Sequence, residues 1–273
     1  VANFNSDNSY QPSNNELSIK LFNPQLGDSS RLPSLIYLPG MDGTGKLFHT
    51  QIPGLAPYFN LRCLSIPPTD VSNWQKLTEA TIECLETELV NNDLKWVYLC
   101  GESFGGCLAM SVAIAKPELI GGLILINPAS SFNQQPLLSW GITISTLIPE
   151  WLHRNSAVGL LPFLADLSRI AKKDRQALLQ AMKSLPQQVV SWRLSMLRDF
   201  AIAPEQWKKF KPPILVIASG CDRLLPSIAE ATNLVKIVPN GVMEILPNSG
   251  HACLLETTTN LANILAKHNF LGK

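Results

Sequence analysis

Charge of one sign is missing from this chain. Lysine and arginine total 22 and aspartate and glutamate 21, a formal net charge of +1 over 273 residues. That balance creates no field to gather nucleic acid or an anionic surface, so nucleic acid is not an expected partner. Closely spaced cysteine pairs are also missing. The cysteines, at 63, 84, 100, 107, 221 and 253, form no C-x-x-C pair, and no His/Cys cluster has zinc spacing. Buried free thiols in a reducing compartment are expected, with no metal and no organic cofactor. An uncharged, proline-free apolar run of about 18 residues, enough for a membrane-spanning helix, is absent. No secretion signal is seen; residues 1–16 read as a polar tail. A cytoplasmic or plastid/thylakoid-associated location follows as the expectation. Internal repeats and low-complexity tracts are lacking as well.

What is present is apolar residue in quantity, 46% of the chain, enough to build the core of one large α/β domain. The segment ELSIKLF alternates polar and apolar and reads as an early, half-exposed strand. LIYLPG (35–40), LRCLSIP (61–67), WVYLCG (96–101), GLILINP (122–128), ILVIASG (214–220) and, more weakly, VMEILPN (242–248) are short apolar runs closed by turn residues. Runs of this kind, covered on both faces, are what a parallel sheet requires. Helical patterns lie between them, at 77–92, 104–116, PSIAEATNLVKIV and LLETTTNLANILAK. The alternation predicts an α/β fold with a mostly parallel sheet and helices on both faces.

Residues 130–208 break that rhythm and contain no strand-like run. They read as a helical cap inserted into a core formed by 17–129 and 209–273. Within the cap, Asp174 is a candidate N-cap and Pro186 a candidate first-turn proline.

Gly101-Glu102-Ser103-Phe104-Gly105 follows the strand WVYLC and opens an apolar helix. This is G-x-S-x-G in the strand–turn–helix setting of a nucleophile elbow. A serine hydroxyl is a poor nucleophile without a base. Of the histidines at 49, 153, 251 and 268, His251 is the best base, because it follows the last strand at the same sheet edge. Surface or packing roles are expected for the other three. Asp222, after the strand at 214–220, is placed to orient the imidazole. The order Ser103, Asp222, His251 is that of the α/β-hydrolase fold.

A serine enzyme also needs donors for the oxyanion. One is the backbone N–H of Phe104. The other is expected from the loop Pro39-Gly40-Met41-Asp42-Gly43-Thr44-Gly45, with Met41 first by position and Asp42 second. A phosphate-cradling loop is the rival reading, but Gly45-Lys46-Leu47 lacks the G-K-[ST] ending. For Asp42 three roles stand open: pointing away, capping the next helix, or hydrogen-bonding a second substrate.

The motifs LPGMDGTG (38–45), GESFGGCLA (101–109), NPASSF (127–132), ASGCDRLLPS (218–227) and SGHACLLE (249–256) resemble the esterase/lipase-like region of the plant and cyanobacterial phytyl ester synthase family. They span most of the chain in the family's order. The resemblance implies an α/β-hydrolase sheet and acyl chemistry on lipids such as galactolipid acyl groups, phytol or diacylglycerol. It carries the triad onto Ser103, Asp222 and His251, and the oxyanion loop onto Gly40 and Met41. Plastid members also have an acyltransferase-like region with an N-H-x-x-x-x-D motif. That motif is absent here, so hydrolysis is expected over transfer.

Apolar residues crowd the cap, which should cover the serine. Trp140, Trp151, Phe163 and Trp192, with Gly40 and Asp42 below, are the expected substrate contacts, and medium or long acyl chains the expected cargo. The expected partner is thus a small-molecule lipid or ester, met in solution or in transient contact with a membrane surface. Two other readings remain: an acyltransferase using the same triad, and a non-catalytic ligand receptor on a hydrolase scaffold.

Overall fold

A computed structural model describes residues 18–25, 31–134, 159 and 161–271. The polar tail expected at 1–16, residues 135–158 and 160 of the expected cap, and with them Trp140, Trp151 and His153, lie outside the described residues.

The described strands are β1 (Lys20–Phe22), β2 (Ser34–Leu38), β3 (Asn60–Ser65), β4 (Val97–Glu102), β5 (Ile120–Ile126), β6 (Ile214–Ser219) and β7 (Gly241–Leu246). They form one sheet in the order β1-β3-β2-β4-β5-β6-β7. Only β1 runs antiparallel to its neighbour; all other pairs are parallel. Each strand expected from an apolar run is therefore present, shifted by no more than a few residues. This is the α/β-hydrolase sheet.

Every residue of β2 is buried, and its side chains alternate between two cores. Ile36 and Leu38 join one cluster with Leu99, Leu123, Leu125 and Val216; Leu35 and Tyr37 join the other with Tyr98, Cys100, Ile124 and Ile217. Over the first face lie α2 (Trp74–Asn91), α3 (Phe104–Ala115) and α6 (Ser227–Ile237); over the second lie α1 (Ile52–Leu55) and α7 (Leu261–Lys267). Strand order reverses between β2 and β4, since the chain winds outward from there in both directions. Ligands of open α/β sheets bind at such a reversal, beyond the carboxyl ends of the strands.

The described part of the insertion is helical. It holds α4 (Lys172–Ser184) and α5 (Gln187–Arg198), and its only ladder contact is a single bridge from Ile170 to Glu256. Leu161, Ala165, Ile170 and Leu178 pack on Ala252 and Leu255 of the core, closing a third, smaller apolar cluster.

Several expectations need correction. Asp174 is not the cap of α4, because Ala171 holds that position. Asp174 lies buried in the first turn and accepts a 2.8 Å bond from His49 Nε2. His49 therefore ties the core to the insertion rather than merely packing. Pro186 is the N-cap of α5, one residue outside the first turn. The last helix begins at Leu261 rather than 254, capped by the Asn260 side chain. A short 3-10 turn at Cys253–Leu255 precedes it, and the Glu256 side chain turns back to accept from Gly250 N–H at 2.8 Å. The six cysteines are unpaired, and Cys221 is exposed rather than buried.

Candidate active site

The turn from β4 to α3 admits only glycine on either side of the serine. A Cβ on Gly101 would stand 2.3 Å from Gly105 O, and one on Gly105 would stand 2.1 Å from Leu38 O. Ser103 itself holds φ 53° and ψ −114°, a conformation that costs on the order of 1–3 kcal/mol and persists only when its surroundings enforce it. They do. Ser103 N–H donates to Ile126 O at 3.0 Å, and Ser103 O accepts from Gly106 N–H at 3.0 Å and Ala129 N–H at 3.1 Å. The hydroxyl is thereby held above the sheet edge at the N-terminus of α3, where unbonded N–H groups, beginning with Phe104, favour negative charge.

His251 arrives after β7 and Asp222 after β6. His251 Nε2 lies 2.9 Å from Ser103 Oγ, and His251 Nδ1 lies 2.7 Å from Asp222 Oδ2. The imidazole and the carboxylate side chains are only 5% and 1% exposed. Asp222 also accepts from the backbone N–H of Leu224 and Leu225 and from the Ser227 hydroxyl. It thus caps a turn and holds an imidazole at once. Burial pushes its carboxyl up, but His251, Ser227 and the backbone donor outweigh this and hold it below the usual range. Burial pulls His251 down, yet the carboxylates of Asp222 and Glu102 prevail and its pKa is raised.

Buried polar residues fix the histidine loop. Asn127 Nδ2 donates to His251 O at 2.7 Å and to Ser219 Oγ at 2.9 Å, while its Oδ1 accepts from Ser219 N–H. Glu256 accepts from Gly250 and pairs with Arg169 of the insertion at 2.8 Å.

A cavity of about 260 Å³ opens on Ser103 and His251. Its other walls are mostly hydrocarbon: Leu47, Leu224 and Ala252 from the core, and Phe163, Leu164, Leu178, Ala181, Met182, Leu185, Val190 and Leu194 from the insertion. Gly40, Met41 and Asp42 line it as well, and a Cβ on Gly40 would lie 3.8 Å from Ser103 Cβ. Phe104 is fully buried and stacks on Trp74. Asp42 bonds Thr44 through both the backbone N–H and the hydroxyl of that residue. Burial raises its pKa against those bonds and the charge of Arg193.

Trp192 does not line the cavity. Its indole N–H donates to Ser72 O at 3.0 Å, and on a helix it points about 200° away from Val190, which does line it. The expected contact is thus replaced by a tether of α5 to the core.

Two polar residues that were assigned no role from sequence stand at the site. Glu102 lines the cavity beside Ser103 and accepts from the Tyr37 hydroxyl. Burial pushes its carboxyl up to about 6, against the Tyr37 bond and His251. Arg193, 1% exposed, reaches from α5 to Met41 O at 2.5 Å and Pro67 O at 3.3 Å. Position x of G-x-S-x-G announced the first; a lone cation on the apolar stripe Val189, Arg193, Met196, Leu197 could have announced the second. Among the described residues no three His, Cys, Asp or Glu side chains group as a metal site, and no helix is long and apolar enough to cross a membrane.

The model of the serine aminopeptidase, S33, family matches residues 68–258. Two curated relatives come from Arabidopsis thaliana. Chloroplastic phytyl ester synthase 1 is 33% identical over 85% of this chain and 36% of its own length. Chloroplastic phytyl ester synthase 2 is 29% identical over 85% and 37%. The chain spans about a third of the length of these relatives. Among solved structures, a hydrolase from Pseudomonas aeruginosa PA01 superposes with a TM-score of 0.72 at 18% identity, covering 91% of this chain and 92% of that one. The family match covers well over half of the sequence, and the sheet and its order agree with it: the chain belongs to the serine aminopeptidase, S33, family and has the α/β-hydrolase fold.

Proposed function

We propose that the chain cleaves carboxylic esters of medium or long acyl chains through an acyl-enzyme on Ser103. The carrying observation is the continuous relay from Ser103 through His251 to Asp222, opening on an apolar cavity. In this reading Ser103 Oγ attacks the ester carbonyl while its proton passes to His251 Nε2. The carbonyl electron pair moves onto oxygen, where the N–H groups of Met41 and Phe104 receive it. Collapse re-forms the carbonyl and expels the alcohol, which takes the proton from the imidazolium. Water, deprotonated by the same nitrogen, then adds to the acyl carbon; the bond from that carbon to Ser103 Oγ breaks, the acid leaves, and the imidazolium returns its proton to Ser103. Asp222 keeps the tautomer and stabilises the imidazolium.

The hydrocarbon walls support the substrate class. Each buried methylene contributes about 0.8 kcal/mol, and the cavity sits just below the ~300–1,000 Å³ of sites for drug-sized ligands. A series of nitrophenyl esters from acetate to palmitate tests this: kcat/KM should rise with chain length from acetate, and a preference for acetate would refute it. The likeness to phytyl ester synthases favours a second reading, in which an alcohol such as phytol replaces water at the acyl-enzyme. Phytyl ester formed at the expense of free acid on adding phytol would select it.

A further inference from the structure

The peptide planes on either side of Met41 are held by different partners. Gly40 O accepts from Gly43 N–H at 3.0 Å inside the loop. Since no cis peptide bond occurs among the described residues, the Met41 N–H of that same plane points away from the turn. The next plane carries Met41 O, and among the described residues no hydrogen bond from the core reaches it. Its partner is Arg193 Nη1, 152 residues along the chain on α5. The second arm of the same guanidinium grips Pro67 O, and its centre stands 5.7 Å from the Phe104 ring centroid. Arg193 thus contacts both residues whose N–H groups serve as oxyanion donors in the esterase reading. The loop makes room for it: a Cβ on Gly43 would lie 2.8 Å from Arg193 Nη1, and Gly43 adopts φ +71°.

We propose that Arg193 is a positioning residue that sets the oxyanion hole from the insertion, locking the Met41 peptide and adding a fixed positive charge behind the two donors. It rests on the esterase reading. A buried arginine whose only purpose was to fasten α5 would not need to choose the carbonyl of the donor residue; Trp74 Nε1–H to Met196 O and Trp192 Nε1–H to Ser72 O already fasten that helix. The planar fork serves two carbonyls and one ring face together, which an ammonium cannot do.

The test uses the full chain with nitrophenyl octanoate as substrate. It compares wild type, Arg193→Ala, Arg193→Lys and, as a control on the same helix, Arg198→Met, whose parent side chain is exposed beside Asp199. Arg193→Ala should lower kcat about 100-fold with KM little changed, the scale of a misplaced donor. Affinity for an alkyl trifluoromethyl ketone, which forms a tetrahedral adduct, should fall by the same factor, while affinity for octanoate stays. Added guanidinium should restore kcat, Arg193→Lys should fall between, and Arg198→Met should stay within about two-fold of wild type. If Arg193→Ala does not fold, Arg193→Lys decides by the same ratio. The proposal is overturned if kcat and ketone affinity of the Arg193 variants stay within about two-fold, or if the loss falls on KM. A wild-type protein that turns over no ester and is not labelled at Ser103 overturns the esterase reading itself, before any variant is compared.

Discussion

The two sides of the cavity are built on different physics. On the core side, backbone does the positioning: Ser103 sits at a strained angle between two glycines whose neighbours are carbonyl oxygens less than 2.5 Å from any added Cβ. The imidazole and carboxylate beside it are almost out of solvent and bonded at every functional atom. On the insertion side, side chains do the work, and most of them are interchangeable hydrocarbon from α4 and α5. Reaction chemistry should therefore be brittle to changes on the first side. Substrate choice should be adjustable on the second. Arg193 crosses from the far side to the near one, its guanidinium on the backbone carbonyl of Met41.

That contrast can be broken in order of expected effect. Ser103→Ala should abolish ester turnover, a loss on the order of 10⁴–10⁶ in kcat, measured with nitrophenyl octanoate. Residual turnover near the wild-type rate would place the nucleophile elsewhere. Asp222→Asn should cost about 10⁴ in kcat by presenting the wrong tautomer, with melting temperature as the control for its turn-capping bonds. On the other side, Leu194→Trp should leave acetate turnover nearly intact while cutting kcat/KM for octanoate about 10–100-fold, the scale of a filled hydrophobic subsite. Equal losses on both esters would show that the two sides are not separable.

The smallest effect concerns pH. In the proposed reaction His251 must be neutral to accept a proton, and the carboxylates near it raise its pKa. Activity should therefore rise with pH through a midpoint above the ordinary histidine value. Glu102→Gln removes one of those negative neighbours, so the acid limb of kcat/KM should move to lower pH. A limb unmoved by that substitution would show that Glu102 does not act on the imidazole.

Sequence legibility follows the same division. The strands were readable because each is a short apolar run stopped by turn residues. The elbow was readable because G-x-S-x-G between such a run and a helix demands close backbone packing. Asp222 and His251 followed from their places after β6 and β7, since consecutive parallel strands deliver their ends to one edge. Side-chain partnerships across the insertion were not readable. Nothing local in SWRLSML says that Arg193 meets Met41, or that Trp192 turns toward Ser72 rather than substrate. Asn127 belongs to the same class: its bonds to Ser219 and His251 join loops more than 90 residues apart. The late start of α7 was hidden because LLETTTN has helical periodicity, whereas Glu256 bonds back to Gly250 and across to Arg169 of the insertion.

Whether Ser103 is the activated hydroxyl is answered most directly by labelling the native chain with a fluorophosphonate and locating the modified residue by peptide mass analysis. Phosphonylation is expected at Ser103 alone, lost in His251→Ala although the serine remains. Modification of a different residue, or none in a folded protein, would contradict it.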